Sequence, residues 1–346
     1  MILVTTIDFL NTKNGGAKRV KNLIREFNIK EVHICSIWKS GSIDKTDDLD
    51  IYYHSVKIID FLTSVYFFLV LRRPLSNCVY QRRSLRKFVE NQKVLYHLTR
   101  SFQGYSYSKE WAFDFCESQS ENLRLRAYSY KGLVGLILKF ESRRLNKLEN
   151  ILLRAASESI FITHNDIKYS VASHPVIVPN KIDLKCVFKP FENRNAAQIV
   201  FLGDMTYLPN KNALDFIYKL GLVGKYKIEV VGKYVLKDVS EYSSDFVHFN
   251  GYVSNLKEIL PNSIFAIFIS NDSTGLQNKL LDYINYGVPT IVNQEVAESF
   301  IGRPPFLIAK NQKEVEEVIS KYLSDKENYE SIVREGFKYI KENYAK

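Results

Sequence analysis

Apolar and polar residues fall along this chain in blocks. The opening "MILVTTI" is a continuous apolar, β-branched run, the pattern of a strand buried on both faces of a parallel sheet. A polar stretch, "DFLNTKNGGAKR", follows it. "VKNLIREF" then places Val20, Leu23, Ile24 and Phe27 at helical spacing. "EVHICSIW", "KVLYHLT" and "SIFITH" are further strand-like runs, with helical stretches between them. Strand and helix in alternation predict βαβ units and a parallel sheet.

"VIVPNKIDLKCVFKPFENRN" breaks this rhythm. Its prolines, its turn-forming Asn and its mixed charge mark a linker. The alternation then restarts with the strand "AQIVFLGDM" and the helix "NALDFIYKL". "KIEVVGK", "FVHFNGYV", "IFAIFIS" and "PTIVN" supply more short strands, and the tail is helical and amphipathic. The pattern predicts an α/β chain of two Rossmann-like domains whose parallel sheets face an interdomain cleft. The expected divisions are 1–186, 187–325 and a last segment, 326–346. Ligands of open parallel sheets bind at the carboxyl ends of strands, so the loops after strands are the ones to read.

Composition narrows the field. The 346 residues are 46% hydrophobic, with 22 Tyr and 22 Phe, which supplies a sizeable core and excludes a disordered chain. The net charge of +10 favours an anionic partner. Cys35, Cys78, Cys116 and Cys186 lie too far apart for a zinc pattern and read as reduced thiols, so a cytoplasmic protein is expected. The N-terminus carries no basic segment or cleavage site of a signal peptide. The longest apolar run, "FLTSVYFFLVL" (Phe61 to Leu71), is shorter than the about 20 residues of a membrane span. It reads as a buried helix, with basic flanks that would allow shallow contact with an anionic membrane.

Four loops carry candidate chemistry. In "STGLQNKLLDYINYGVPTIVN" a helix starts just after a strand, with Thr274, Gly275, Leu276 and Gln277 at its beginning. Free N–H groups and the helix dipole there favour an anion. Lys279 adds a full charge, and Asp282, on the same face, suits ribose hydroxyls. The same residues are also what an ordinary surface helix with a Lys–Asp pair would show. In "FLGDMTYLPN", Gly203 and Asp204 form a turn that lets a ligand approach the backbone, or a plain strand-to-helix turn. In "NGGAKRV", Gly15 and Gly16 precede a helix without the GxGxxG spacing of a dinucleotide fingerprint. Lys18 and Arg19 oppose the dipole of that helix, which makes sense if an anion sits there. In "YHLTRSF", His97 and Arg100 follow a strand; His97 suits acid–base work or a sugar hydroxyl, and equally a structural role.

Two further runs attract notice. Asp48-Leu49-Asp50 has the form of a metal-binding DxD motif but lies in a charged stretch and reads as solvated. "QRRSLRK" puts Arg82, Arg83, Arg86 and Lys87 on one expected helix. That basic face fits lipid headgroups or a polyprenyl-diphosphate acceptor better than nucleic acid, since no nucleic-acid module accompanies it.

Taken together, these segments resemble retaining glycosyltransferases of the family 4 type, which have the GT-B fold, and among them a bacterial exopolysaccharide branch. "STGLQNKLLDYINYGVPTIVN" resembles that branch's "RGIQNKVLEAMAMGxPVV"; "GGAKRVKNLI", "LRRPLSNCVYQRRSLRKFV", "VIVPNKIDLKCVF" and "FLGDMTYLPNKNALDFI" resemble its other segments, in order. The resemblance implies donor binding by the C-terminal half and acceptor binding by the N-terminal half. It also implies a last helix that crosses back to the first domain. Asp282 takes the place of the second Glu of the family's E-x7-E, and Thr274 stands where the first would be.

The expected activity is transfer from a nucleoside-diphosphate sugar to a saccharide or lipid-linked acceptor, retaining, with no metal and no cofactor. His97 and Arg100 are the expected catalytic or acceptor-side residues. Because the first Glu is replaced, a catalytically inert assembly subunit is the main alternative. A basic nucleic-acid binder is a second, disfavoured because basic and aromatic residues are not interleaved.

Overall fold

The computed structural model describes residues 1–345 except 12–14, 38–42, 47, 104–109, 131, 164, 165, 168, 169, 207, 236–241, 243 and 271–275. The chain divides into two compact units, Met1–Asn180 and Lys181–Lys346.

The first unit holds an eight-stranded sheet of β1 (Ile2–Thr5), β2 (Glu31–Cys35), β3 (Ile43–Thr46), β4 (Leu49–His54), β5 (Lys93–His97), β6 (Glu110–Asp114), β7 (Glu158–Phe161) and β8 (Pro175–Ile177). Their order is β3-β4-β2-β1-β5-β6-β7-β8. All pairs are parallel except β3 with β4. The expected run "MILVTTI" is the central β1, and its neighbouring residues serve opposite faces. Leu3 packs with Val20 and Leu23 of α1 (Gly15–Glu26). Val4 packs with Tyr96, Phe113 and Leu152 on the other face.

This unit also holds the α-helices α2 (Ile58–Leu69), α3 (Leu75–Cys78), α4 (Arg86–Val89), α5 (Gln119–Ser129) and α6 (Leu133–Ala155). The long α6 covers the face opposite α1 through Leu148, Leu152 and Leu153. The apolar run at Phe61–Leu71 is helical, as its pattern indicates, but it is not a core helix. Only Asp60 and Phe67 of α2 are buried. The reason is geometric: one row of α2 touches the unit, and most of the rest of its apolar surface is exposed.

The second unit repeats the plan with β9 (Asn195–Leu202), β10 (Lys227–Val231), β11 (Val247–Gly251), β12 (Ser263–Phe268), β13 (Thr290–Val292) and β14 (Leu307–Ile308). They form one parallel sheet in the order β11-β10-β9-β12-β13-β14. In both units the first strand of the unit lies at the point where the order reverses, between its second and a later strand. This is the doubly wound arrangement.

The helices of the second unit are α7 (Leu208–Lys219), α8 (Asn278–Asn285), α9 (Gln294–Ala297), α10 (Gln312–Ser324) and α11 (Lys326–Asn343). Gly287, with φ +66°, follows the end of α8 in the left-handed conformation that terminates helices. A Cβ at Gly287 would meet the Val187 carbonyl oxygen at 2.7 Å, so the segment entering the unit runs tight against this turn. α11 lies along α8: a Cβ at Gly336 would come within 2.9 Å of Ile284. The Tyr329 hydroxyl donates to the Ile264 carbonyl at 2.6 Å, and the Tyr339 hydroxyl to the Ile301 carbonyl at 2.8 Å.

Candidate functional site

In the second unit the strand order reverses between β9 and β12, where a doubly wound sheet opens a crevice at its carboxyl edge. The turn Gly203–Asp204 leaves β9 at this edge, and the chain before α8 leaves β12 there. Gly203 and Gly232 are crowded together: a Cβ on Gly232, whose φ is +145°, would lie 1.9 Å from the Gly203 carbonyl oxygen. Asn210 of α7 fixes the turn by donating from Nδ2 to the Asp204 carbonyl at 2.9 Å. Asp204 is itself exposed and accepts from the Thr206 amide and hydroxyl at 2.9 and 2.6 Å.

Lys279, in the first turn of α8, points over the same edge. Its ammonium lies 4.1 Å from the Phe268 ring centroid and 5.4 Å from that of Phe201, the rings at the ends of β12 and β9. It also donates to Asn210 Oδ1. Part of the side chain reaches solvent, but the ammonium end is enclosed by protein. Loss of hydration there pulls its pKa down from 10.5 to about 7. Among the described residues no carboxylate pairs with it. Burial therefore weakens the full charge expected from sequence, and an anion beside the ammonium would favour it again.

Tyr283, one turn further along α8, is buried and accepts the Leu202 amide, which ties α8 to the end of β9. Asp282 is half-buried on α8. Leu276 is buried and Gln277 precedes the helix as its N-cap, whereas Thr274 and Gly275 lie outside the described residues.

The first unit has a second cluster at the corresponding edge, where β1, β5 and β6 end. Gly15 and Gly16 open α1. His97 and Asp114 end β5 and β6 and are both fully buried. His97 Nδ1 lies 2.7 Å from Asp114 Oδ2, an arrangement that makes Nδ1–H the donor and turns Nε2 away from the carboxylate. Nε2 is buried without a partner among the described residues, as is Nε of the half-buried Arg100.

Arg19, from α1, is also buried. Its Nε donates to Asp114 Oδ1 at 3.1 Å, and its Nη1 to the Val178 carbonyl at 2.6 Å and to Asn180 Oδ1 at 3.3 Å. This corrects the expectation that Arg19 awaits an external anion: its counter-ion is Asp114. Burial alone would push the Asp114 carboxyl up, but the Arg19 charge and the bonds from His97 and Arg19 outweigh it and hold it at about 2. His97, Asp114 and Cys116 have ligand atoms close enough for a metal. Both Asp114 oxygens are engaged by Arg19 and His97, and the guanidinium charge opposes a cation, so the donor set does not suit one.

The basic run also needs correction. Arg82, Arg83, Arg86 and Lys87 do not share one helix: a 3-10 turn at Arg83–Leu85 precedes α4. Arg82 is fully buried. It donates to the carbonyls of His54, Val79, Gln81 and Ser36 at 2.8–3.1 Å, so it belongs to the fold and not to any outward face. Arg83, Arg86 and Lys87 are exposed. Asp50 of the DxD run pairs in β4 with β2, and Asp48 is exposed in the turn before it.

Sequence reading missed Asp114, whose only signal is its place at the end of the strand "EWAFD", and Asn210, whose signal is its place six residues after Asp204.

Residues 196–325 match the family model described as glycosyl transferases group 1. A search of curated protein sequences returns no match. Among solved structures, the chain is similar to sucrose-phosphate synthase from Thermosynechococcus elongatus, with TM-score 0.71, 14% identity and coverage of 99% of this chain and 94% of that one. It is similar to Anabaena HepE in complex with UDP-glucose, with TM-score 0.68, 9% identity and coverage of 99% and 95%. WaaG, a glycosyltransferase involved in lipopolysaccharide biosynthesis, gives TM-score 0.62 at 12% identity, with coverage of 99% and 95%. At such identities these likenesses establish the fold, which is GT-B, while the family match bears on the second unit. The chain thus has the GT-B fold, and its segment 196–325 is similar to group 1 glycosyl transferases.

Proposed function

We propose that the second unit holds a nucleoside-diphosphate sugar at the end of β9 and β12, and that the protein transfers the sugar to a saccharide or polyprenyl-diphosphate-linked acceptor. The carrying observation is Lys279: an ammonium stripped of water, backed by two aromatic rings, with no carboxylate beside it among the described residues. A diphosphate supplies the missing charge, and its negative charge grows as the glycosidic bond breaks. A cation already fixed at that point favours the transition state over the ground state. Asp282 would accept ribose hydroxyls, and the Gly203–Asp204 turn would let the donor approach the backbone.

On the acceptor side, His97 and Arg100 each keep a buried nitrogen without a partner among the described residues, and these would be met by the acceptor or the transferred sugar. Asp114 holds His97 in one tautomer. Retention of configuration and independence from metal belong to the same reading, as does a role in bacterial surface polysaccharide synthesis at the cytoplasmic face of the membrane. HepE bound to UDP-glucose and WaaG in lipopolysaccharide biosynthesis lend support.

A thermal-shift panel of UDP-, GDP- and dTDP-sugars tests the donor site, with CMP-sugars as a monophosphate control. One diphosphate class should stabilise the protein, and Lys279→Met should abolish the shift. A folded protein that responds to none of them would refute the reading. Thr274, in place of a family Glu, favours one competitor: an inert subunit would bind donor in this panel yet release no nucleoside diphosphate with any acceptor.

A further inference from the structure

We propose that the outer face of α2, together with the first half of α6, docks on an anionic lipid bilayer. The inference deepens the reading of a lipid-linked acceptor; it rests on that reading for its purpose, while its evidence is independent.

α2 reads IIDFLTSVYFFL, and its apolar side chains mostly point away from the unit. Ile58 is 84% exposed, Phe61 63% and Leu69 65%. The first turns of α6, LVGLILKF, do the same, with Leu133 73% and Leu136 67% exposed. Single exposed apolar residues are ordinary, but two neighbouring helices that turn such residues outward mark a contact surface.

The two stretches are joined. The Arg144 guanidinium of α6 sits 4.8 Å from the Phe68 ring of α2 and 5.0 Å from the Phe140 ring of its own helix. Glu141 of α6 accepts from the Ser76 amide of α3 at 2.8 Å, which anchors the connection after α2 to α6.

The rim says what lies on this face. Residues 57–87 contain one acid, Asp60, against seven Lys and Arg, of which all but the buried Arg82 and the half-buried Arg73 are exposed. That carboxylate is already taken by the amides of Lys57 and Arg83 at 2.9 and 2.8 Å. Lys57, Arg72, Arg83 and Arg86 are exposed. An apolar face edged by cations fits acyl chains beneath anionic headgroups. A second copy of the same face would bring like charges together. No helix of the described residues is long and apolar enough to cross a membrane. With 12 residues, α2 spans about 18 Å and suits a helix lying in the interface plane.

The test is cosedimentation of the full chain with vesicles of phosphatidylcholine alone, or mixed with phosphatidylglycerol, without donor or acceptor. Binding to the anionic vesicles should exceed binding to the neutral ones by on the order of tenfold and fall with salt. Phe61→Ser with Leu136→Ser should lose most of the binding while keeping the far-UV spectrum and the nucleotide response. Arg83→Ala with Arg86→Ala should lose the preference for anionic lipid. Equal or absent binding of the wild type to both vesicles would overturn the proposal. So would a dimer in sedimentation velocity that the apolar double variant splits. Vesicle binding without any nucleotide response would count against the donor site and leave this face standing; the reverse pair of results would do the opposite.

Discussion

Lys279 and Phe268 face each other at the reversal point of the second sheet, the ammonium 4.1 Å from the ring centroid. The ring can polarise toward the cation but cannot neutralise it, and the contact contributes only about 0.5–2 kcal/mol. Desolvation is the larger effect, since it brings the ammonium down to about 7. The site therefore holds a latent charge whose state depends on what occupies it.

Lys279→Met is the direct probe. The variant keeps an unbranched side chain, one atom shorter, and removes the cation. Nucleotide affinity should fall by roughly 10- to 100-fold, the worth of one or two charge-assisted hydrogen bonds. Stability should move the other way. In the wild type the folded-state pKa of about 7 lies below the ordinary value of 10.5, so the unfolded chain binds more protons between those limits. The stability of the empty wild type should then rise as pH rises from 7 to 10.5. The variant should lack this slope and melt no lower than the wild type at pH 7, as read by denaturation at several pH values.

The same latent charge predicts proton uptake on binding. A diphosphate beside Lys279 raises its pKa back toward 10.5. Titrating nucleoside diphosphate at about pH 8–9 should draw up to about one proton from the buffer. Calorimetry in buffers of different ionisation enthalpy reads this directly. Uptake that is absent in the wild type, or that persists in Lys279→Met, would assign the effect elsewhere.

The strands and the α/β alternation were legible because buried parallel strands demand continuous apolar runs, and "MILVTTI" and "SIFAIF" have few other uses. Lys279 was legible because a helix start after a strand is a known anion position. Its loss of charge was not, because that depends on Phe201 and Phe268, which other strands bring. Arg19 and Asp114 are 95 residues apart, and only the sheet order brings them together. Two misreadings share a cause. Apolar α2 was expected inside and cationic Arg82 outside, because composition reports affinity for water but not the presence of neighbours. Four backbone carbonyls draw Arg82 in, and among the described residues no element covers the outer face of α2.

Asp114 anchors the first unit's cluster, and its removal should be costly. Asp114→Asn would leave the buried Arg19 without its counter-ion. Breaking such a pair from one side typically costs about 3–5 kcal/mol. The pH dependence has a definite sign. The Asp114 carboxyl titrates at about 2 in the folded state, below its ordinary value of 3.8, so its stabilisation is present above pH 3.8 and is lost as pH falls toward 2. Acid unfolding of Asp114→Asn should lack this component. A variant as stable as the wild type at pH 7 would show that the pair is not what holds this edge together.

His33 and His54 add a second acid-sensitive element. They share a hydrogen bond of 2.8 Å between Nδ1 and Nε2, and His33 stacks on Tyr52 and packs against Phe88. Burial pulls both pKa values down from 6.5, to about 4 for His33 and about 3 for His54, where the neighbouring His33 also contributes. Both rings are neutral in the fold and charged in the unfolded chain at mildly acidic pH. Stability should therefore fall as pH drops from 6.5 toward 4, with a slope of up to about two protons. His33→Gln should lower stability at pH 7 by about 1–3 kcal/mol, since it loses ring packing. It should also flatten that slope by about one proton, which urea denaturation across the range would show.

Gly232 tests whether the ends of β9 and β10 matter to the donor site. With φ at +145° and a Cβ that would stand 1.9 Å from the Gly203 carbonyl oxygen, alanine has no room without moving one strand end. Gly203 and Asp204 would shift, and with them Asn210, which bonds both the Asp204 carbonyl and the Lys279 ammonium. Gly232→Ala should thus weaken nucleotide binding by at least about tenfold and cost about 2–4 kcal/mol of stability, although residue 232 carries no side chain to lose. Gly224→Ala, also at positive φ but with nothing within 4 Å of its Cβ, is the matched control: a modest strain cost, with binding kept. If both variants bind nucleotide as the wild type does, the crowding at Gly203 does not shape the pocket.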